Sequence, residues 1–303
     1  MKLSQIRYFV AVYEEGSFTA AARRENATQS GLSMQIKELE AAMGAVLFIR
    51  QSSGVVPTRI GNRLYEHATQ LLRQVSDIKQ DISTMAGAVT GQVHVGLMPT
   101  FTRAVLAPAL LRFTTQYPHV NVRITEAYSG VLSERVADRT LDFAMVPAGQ
   151  TVPGIASRYL GTDREYLLTS VATDREHLSP VRLAEEKRPL RLIVPSQANA
   201  RRIRIENYLQ SIGARVSALL EMDAMMGTLE LVAKSEWVTI LPGVLCAPDQ
   251  DGRVRKLHPL VDPVLDVGYV LIEPATRSLS PVARLFADAL AEELERLISE
   301  NTL

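Results

Sequence analysis

The chain has 303 residues, 47% of them apolar, and equal numbers of basic (33) and acidic (33) side chains, so its formal net charge is zero. That much apolar material excludes wholesale disorder, and the charge balance excludes a uniformly basic coat for nucleic acid while leaving room for a local basic patch. The single cysteine, Cys246, excludes an intrachain disulfide and any cysteine-rich metal site.

The length suits about two domains. At the N-terminus Gln5 and Arg7 interrupt what would be the apolar core of a signal peptide. The longest apolar stretches, such as 105–111, fall far short of the ~20 residues that span a bilayer. The expectation is a soluble, cytoplasmic protein with no membrane partner.

Residues 3–15 place Ile6, Phe9, Val10 and Tyr13 on one helical face, and Gly16 supplies a stop. Ser17 is the N-cap of a second helix over 17–26, in which Ala20, Ala21 and Ala22 permit close approach of another helix. Thr28 caps a third helix that ends at Gly44. Its residues Leu32, Ile36 and Leu39 share an apolar side, while Ser30, Ser33, Met34 and Lys37 fall opposite. A supporting helix followed by two short helices with a tight turn predicts a helix-turn-helix, whose recognition helix needs an apolar back and short polar groups in front. A small helical domain with a solvated face has the same pattern. Residues 1–65 carry eight basic and five acidic side chains, a local charge of +3, as phosphate contacts require. Residues 46–50 and 55–56 flank a turn at 51–54 and predict a hairpin wing that bears Arg50.

From Leu3 to Gly61 the chain resembles the N-terminus of the LysR-type transcriptional regulators. The resemblance is carried by Leu3, Phe9, Gly16, Ser17, Phe18, Ala20, Ala21, Ala22, Gln29, Ser33, Ile36, Leu39, Glu40, Gly44, Leu47, Phe48, Arg50, Thr58 and Gly61. The family usually has Ser-Gln-Pro-Ala-Leu-Ser-Arg through the recognition helix. Here Ser30, Gly31 and Met34 stand in place of the proline, the alanine and the arginine. The resemblance implies a double-stranded DNA operator, with Gln29, Ser30, Ser33, Met34 and Lys37 toward the major groove and Arg50 on the backbone.

A long helix is expected over 58–88, about 46 Å at ~1.5 Å per residue. Leu64, Ala68, Leu71, Val75, Ile78, Ile82 and Met85 alternate at spacings of four and three, a heptad seam. A long helix packed on its own chain would show the same seam; the resemblance implies instead that two chains pair through it and that such dimers assemble into a homotetramer. Gly87 and Gly91 read as a hinge.

From 92 onward strands alternate with helices, which predicts parallel sheets covered by helices. Strands are expected at 92–97, 120–125, 142–146, 190–194, 216–221, 237–241 and 267–272. Helices are expected from Pro99 to Gln116 and over 131–139, 200–212, 224–234 and 280–298. Two lobes are expected, joined by crossings near 161–164 and 265–268. The resemblance to the family, and to periplasmic binding proteins, implies that the C-terminal strand and helix return to the first lobe and that the cleft between lobes binds a small effector. The expected fold class is an N-terminal winged helix-turn-helix, a long linker helix, and an α/β, two-lobed, periplasmic-binding-protein-like effector domain. The domains are expected at 1–58, 59–90 and 91–303, with one lobe at about 91–162 and 267–303 and the other at about 163–266.

Ligands of open α/β sheets sit at the carboxyl ends of strands, against helix starts. That rule selects Thr100, Phe101 and Thr102, then Ser129 and Gly130, then Pro147, then Ser196 and Asn199, as effector contacts. Donors at helix starts favour a carboxylate, so a small organic acid is expected. Arg201, Arg202 and Arg204 cannot all face one pocket and read as a solvated or interface face, with at most one pointing inward.

The five histidines lack ligand spacing, and no Walker-type loop, GxGxxG or GxSxG occurs. No cofactor, metal or catalytic residue is expected. The alternative is a ligand-binding or enzymatic α/β protein with an accessory helical domain. The heptad seam and the basic N-terminal segment weigh against it, since an enzyme needs neither.

Overall fold

The computed structural model describes residues 1–51, 54–85, 89–149, 152–197, 199–276 and 278–301. Gly87, the last expected turn of the linker helix and the middle of the wing turn lie outside the described residues, as do the side chains of Arg50, Ile82 and Met85. The chain forms two compact units: 1–88 with 151–156 and 273–281, and the remainder from 89 onward.

In the first unit, α1 (Leu3–Glu15) and α3 (Gln29–Met43) begin and end at the expected signals, while α2 (Phe18–Arg24) follows its expected cap Ser17 but stops at Arg24, short of the expected Asn26. Ser17 accepts the Ala20 N–H, and Thr28 accepts the Gly31 N–H. Gly16 and Gly44 take left-handed φ values of 60° and 64°, which end α1 and α3. Ile6, Phe9, Val10, Ala21, Ala22, Leu32, Ile36 and Leu39 form the core. The wing pairs β1 (Phe48–Gln51) with β2 (Gly54–Pro57), antiparallel. It is fixed at both ends. Glu40 of α3 accepts the N–H groups of Leu47 and Phe48 at 2.8 and 3.3 Å. Gly54, at φ 138°, lies so close to α1 that a Cβ would stand 2.8 Å from the Gly16 carbonyl oxygen.

Next comes α4 (Arg59–Met85), about 40 Å long at ~1.5 Å per residue. Its first half departs from a simple seam. Ala68 and Leu72 are buried in the core of their own unit, with Leu64 and Tyr65 packed against it. Leu71 and Ile78 are 37% and 60% exposed. The stripe Leu64, Ala68, Leu72 advances by four residues and seats the helix on the domain. Leu71 and Ile78, seven apart, form a second stripe that the single chain leaves open.

The second unit contains β3 (Gly91–Leu97), α5 (Pro99–Ala104), α6 (Leu106–Gln116), β4 (Val120–Glu126), α7 (Ser129–Ala137) and β5 (Phe143–Pro147). The 16-residue β6 (Ile155–Ser170) follows. Then come β7 (Leu190–Val194), α8 (Ala200–Ser211), β8 (Val216–Glu221), α9 (Met225–Lys234), β9 (Val238–Pro242), α10 (Gly243–Cys246), β10 (Arg255–Pro259), β11 (Asp266–Pro274) and α11 (Pro281–Asn301). Among the described residues nine strands run in the order β4-β3-β5-β11-β6-β9-β7-β8, with β10 on β6.

The expected single helix from Pro99 to Gln116 is two. Pro108 has no N–H, and its ring clashes with the carbonyl four residues back, at Ala104, where α5 ends. The expected parallel sheet is mixed. β3 is parallel to β4 and β5, and β7 to β8 and β9. β11 is antiparallel to β5, and β6 to β9 and β10. The antiparallel strands include the two that carry the chain between lobes, so each must enter its neighbour's sheet reversed.

Alternation along the strands feeds a core on each face. In the second lobe Leu167, Leu192, Ile205 and Ile240 lie on one side, and Leu168, Ile193, Leu229 and Leu241 on the other. In the first, Phe113 and Phe143 meet Phe286 of α11, so the C-terminal helix closes the lobe that the chain built first.

Candidate recognition helix and effector cleft

The face of α3 opposite its buried Leu32, Ile36 and Leu39 carries exposed Gln29, Ser30, Met34 and Lys37, with Ser33 half-buried. The charge of this unit is not evenly available. Arg7 is paired with Glu25, and Arg24 with Glu14 and Glu15. Lys37 meets no carboxylate among the described residues. The backbone of Arg50 lies in β1.

In the second unit the expected effector residues divide into free and engaged groups. Thr100, in the first turn of α5, is 4% exposed, and its hydroxyl has no hydrogen-bond partner among the described residues. Phe101 is in the core, edge-on to Tyr269 at 5.0 Å. Thr102 donates to Glu126. Ser129 and Gly130 open α7, whose cap Tyr128 gives no side-chain hydrogen bond, so the start of this helix keeps its donors. Pro147 ends β5, and the next residue, Ala148, donates its N–H to the Gly268 carbonyl at 2.7 Å. The Ser196 N–H is held by Asp223 Oδ1 at 3.0 Å. Asn199 caps its own helix, accepting the Arg201 N–H at 3.0 Å.

The three arginines of α8 do not form a solvated face. Arg201 makes a fork with Glu165 at 2.8 Å for each nitrogen and donates to the Ile240 carbonyl. Arg202 is buried, bonded to Glu206 and to the Pro195 carbonyl, and Arg204 reaches the Asp266 carbonyl. Apart from Glu206, one turn along α8 itself, the groups that satisfy them come from other segments, Glu165 and the carbonyls of Ile240, Pro195 and Asp266, which spacing along one helix cannot reveal.

Several groups escaped the sequence reading altogether. Asp163, on β6, is 1% exposed. Its Oδ2 accepts the Val244 N–H at 2.8 Å and the Tyr269 hydroxyl at 3.4 Å, while Oδ1 has no partner among the described residues. Burial pushes this carboxyl up to about 7, and neighbouring Glu165 pushes the same way. Besides this Tyr269–Asp163 bond, further hydrogen bonds among the described residues join the lobes. The Tyr128 hydroxyl donates to the Asp223 carbonyl. Arg103 of α5 donates to the Leu245 carbonyl at 2.5 Å and to Asp249 at 2.8 Å. Strand ends were legible in the sequence; ion pairs between segments so far apart were not. Cys246 is buried in the apolar core of the second lobe.

Residues 3–62 match the family model for the bacterial regulatory helix-turn-helix protein of the lysR family, and residues 86–295 that for the LysR substrate binding domain. The chain belongs to the LysR family. Among curated relatives of this LysR-family chain is the nitrogen assimilation regulatory protein nac. The Escherichia coli (strain K12) protein is 26% identical over 303 residues, 99% of this chain and 98% of that protein. Its Klebsiella aerogenes counterpart is 28% identical over 308 residues, again 99% and 98%. Solved structures share the fold. HinK, a LysR family transcriptional regulator from Pseudomonas aeruginosa, superposes with a TM-score of 0.60 at 23% identity, over 98% of this chain and 99% of that one. Full-length CbnR complexed with its target DNA gives 0.56 at 21% identity, over 97% and 99%. The protein is a LysR-type, DNA-binding transcriptional regulator with an effector-binding domain. No described helix is long and apolar enough to cross a membrane.

Proposed function

We propose that this regulator reads a DNA operator with α3 and β1, using Gln29, Ser30, Ser33, Met34, Lys37 and Arg50, and answers to a small organic acid held between its lobes. The observation that carries the DNA half is the polar, exposed front of α3 on a fully buried apolar back, with an unpaired lysine at its centre. The unpartnered Thr100 hydroxyl and the open start of α7 support the effector half, since both present donors suited to a carboxylate. Phe101, Thr102, Gly130, Pro147, Ser196 and Asn199 then position these groups rather than all touching the ligand.

The working division is a DNA-binding domain at 1–58, a dimerising linker helix at 59–90 and an effector domain at 91–303. Its lobes cover about 91–162 with 267–303, and about 163–266. The open stripe of Leu71 and Ile78 supports pairing of two linker helices, and effector domains then join dimers into a homotetramer. The protein acts in the cytoplasm as a regulator and not as an enzyme.

Selection of binding sites from randomised duplex DNA by the full chain, followed by footprinting, tests the DNA half. A single enriched motif with two half-sites supports it; uniform recovery of all sequences overturns it. Thermal-shift screening against small organic acids tests the effector half, because a ligand of the native state raises its melting temperature by mass action.

A further inference from the structure

The ion cluster around Asp249 ties together two helices from opposite lobes. Asp249 follows α10 and is 2% exposed. Its Oδ1 accepts Arg255 Nη2 of β10 at 2.7 Å, and its Oδ2 accepts Arg103 Nη2 of α5 at 2.8 Å. The other nitrogen of Arg103 takes the Leu245 carbonyl, which the four-residue α10 leaves without a helical partner. Arg255 donates in addition to the Leu229 carbonyl at 3.1 Å.

The two arginines are not equivalent. Arg255 and Asp249 belong to the same lobe, so their pair persists whatever the other lobe does. Arg103 comes from the first lobe, and its side chain retains 16% of its exposure. If it withdraws, Asp249 keeps a cation and Arg103 returns to water, so no isolated charge stays buried. A contact that parts without stranding a charge costs little to break. Arg103 also stands one helical turn beyond Thr100, on a helix that Pro108 severs from α6.

We propose that Arg103 is a positioning residue that sets the angle between the two lobes. Its fork on Asp249 and Leu245 carries a displacement of α5 to the second lobe. Resting on the reading of the cleft as an effector site, the same fork transmits occupancy at Thr100 as a change in lobe angle. The ends of α5 thus have different tasks: the first turn meets the ligand, and the last holds the opposite lobe.

Spin labels on cysteines placed at exposed Asp138, after α7, and exposed Lys234, at the end of α9, report the separation of the lobes in the full chain. Dilution with unlabelled protein isolates distances within one chain, and buried Cys246 stays unlabelled. The unaltered protein is expected to give one narrow distance distribution. Arg103→Met should add a longer population. Arg103→Lys keeps the charge but not the fork, and should fall between the two. A merely structural role would lower the melting temperature without shifting the distance in the folded protein. Identical distributions in all three proteins would overturn the proposal, and if Arg103→Met fails to fold, Arg103→Lys alone decides. A second arm uses an organic acid that raises the melting temperature of the unaltered protein. The change it causes in operator affinity should shrink about fivefold or more in Arg103→Met. An undiminished response would also refute the role. If no acid stabilises the unaltered protein, the effector reading fails while the distance measurement still judges Arg103.

Discussion

Arg201 and Glu165 face one another across two parallel hydrogen bonds of 2.8 Å, and both side chains are almost withdrawn from solvent. Removing one partner of such a pair strands a buried charge, at a cost of ~3–5 kcal/mol. Here the stranded Glu165 would also stand near Asp163, which already shares its field. Arg201→Leu is expected to lower the unfolding free energy by about that amount, and the double variant Arg201→Leu, Glu165→Gln by clearly less. Urea denaturation measures both. A loss below about 1 kcal/mol for the single variant would mean that solvent screens the pair.

Asp163 predicts an unusual pH dependence. Its folded value, about 7, lies above the ordinary carboxylate range, so folding favours the protonated form. The stability this provides is complete below about pH 4 and is lost as pH rises toward 7. His258 opposes it. Burial lowers that imidazole to about 4, so its contribution is lost as pH falls from about 6.5 through 4. Comparing variants isolates Asp163: Asp163→Asn should be more stable than the unaltered protein at pH 8, by roughly 2–4 kcal/mol. The advantage should vanish at pH 4. Equal differences at both pH values would rule out the perturbed carboxyl.

Lys37 is the exposed cation on the front of α3. Lys37→Ala should weaken operator binding, and if the contact is to phosphate the salt slope should fall by ~0.9. A contact to a base would appear instead as a loss of ~1–3 kcal/mol confined to the cognate site. Filter binding across a salt series separates the two, and unchanged affinity removes Lys37 from the interface.

Leu71 lies on the open stripe of α4. Leu71→Glu should convert the assembly to smaller species in light scattering and weaken operator binding, because an unpaired ion between two helices is strongly unfavourable. An unaltered oligomer would refute pairing through α4. Leu72→Glu is the contrasting control: that residue is buried in the core of its own unit, so the substitution should lower the melting temperature directly.

Thr100→Val preserves shape and removes one hydroxyl. Binding of a stabilising organic acid should weaken by ~1–3 kcal/mol in titration calorimetry. Equal affinity would take Thr100 out of the site.

The N-terminal domain was legible because its signals are local. Ser17, Thr28, Gly16 and Gly44 act within a few residues of themselves, and each stands where a helix begins or ends. The break at Ala104 was legible too, through Pro108, but the apolar run around it masked the proline. Long-range pairing was not legible. Arg103 and Asp249 are separated by 146 positions, and no periodicity links them. The arginines of α8 show the same limit: their spacing offers Glu206 to Arg202, but only the folded sheet brings Glu165 to Arg201 and the Asp266 carbonyl to Arg204. In α4 the heptad pattern hid a competing four-residue stripe, because Ala68 serves both.

The strand order also dictates a timetable for synthesis. β5 pairs on one side with β3, made shortly before it, and on the other with β11, near the end of the chain. The strands of the second lobe lie between them in sequence, from the latter part of β6 to β10, and that lobe is complete before β11 leaves the ribosome. Until then β5 presents a bare edge, and Phe113 and Phe143 await Phe286. The nascent regulator therefore finishes its second lobe first, while an unfinished first lobe exposes a strand edge that can pair with a neighbouring chain.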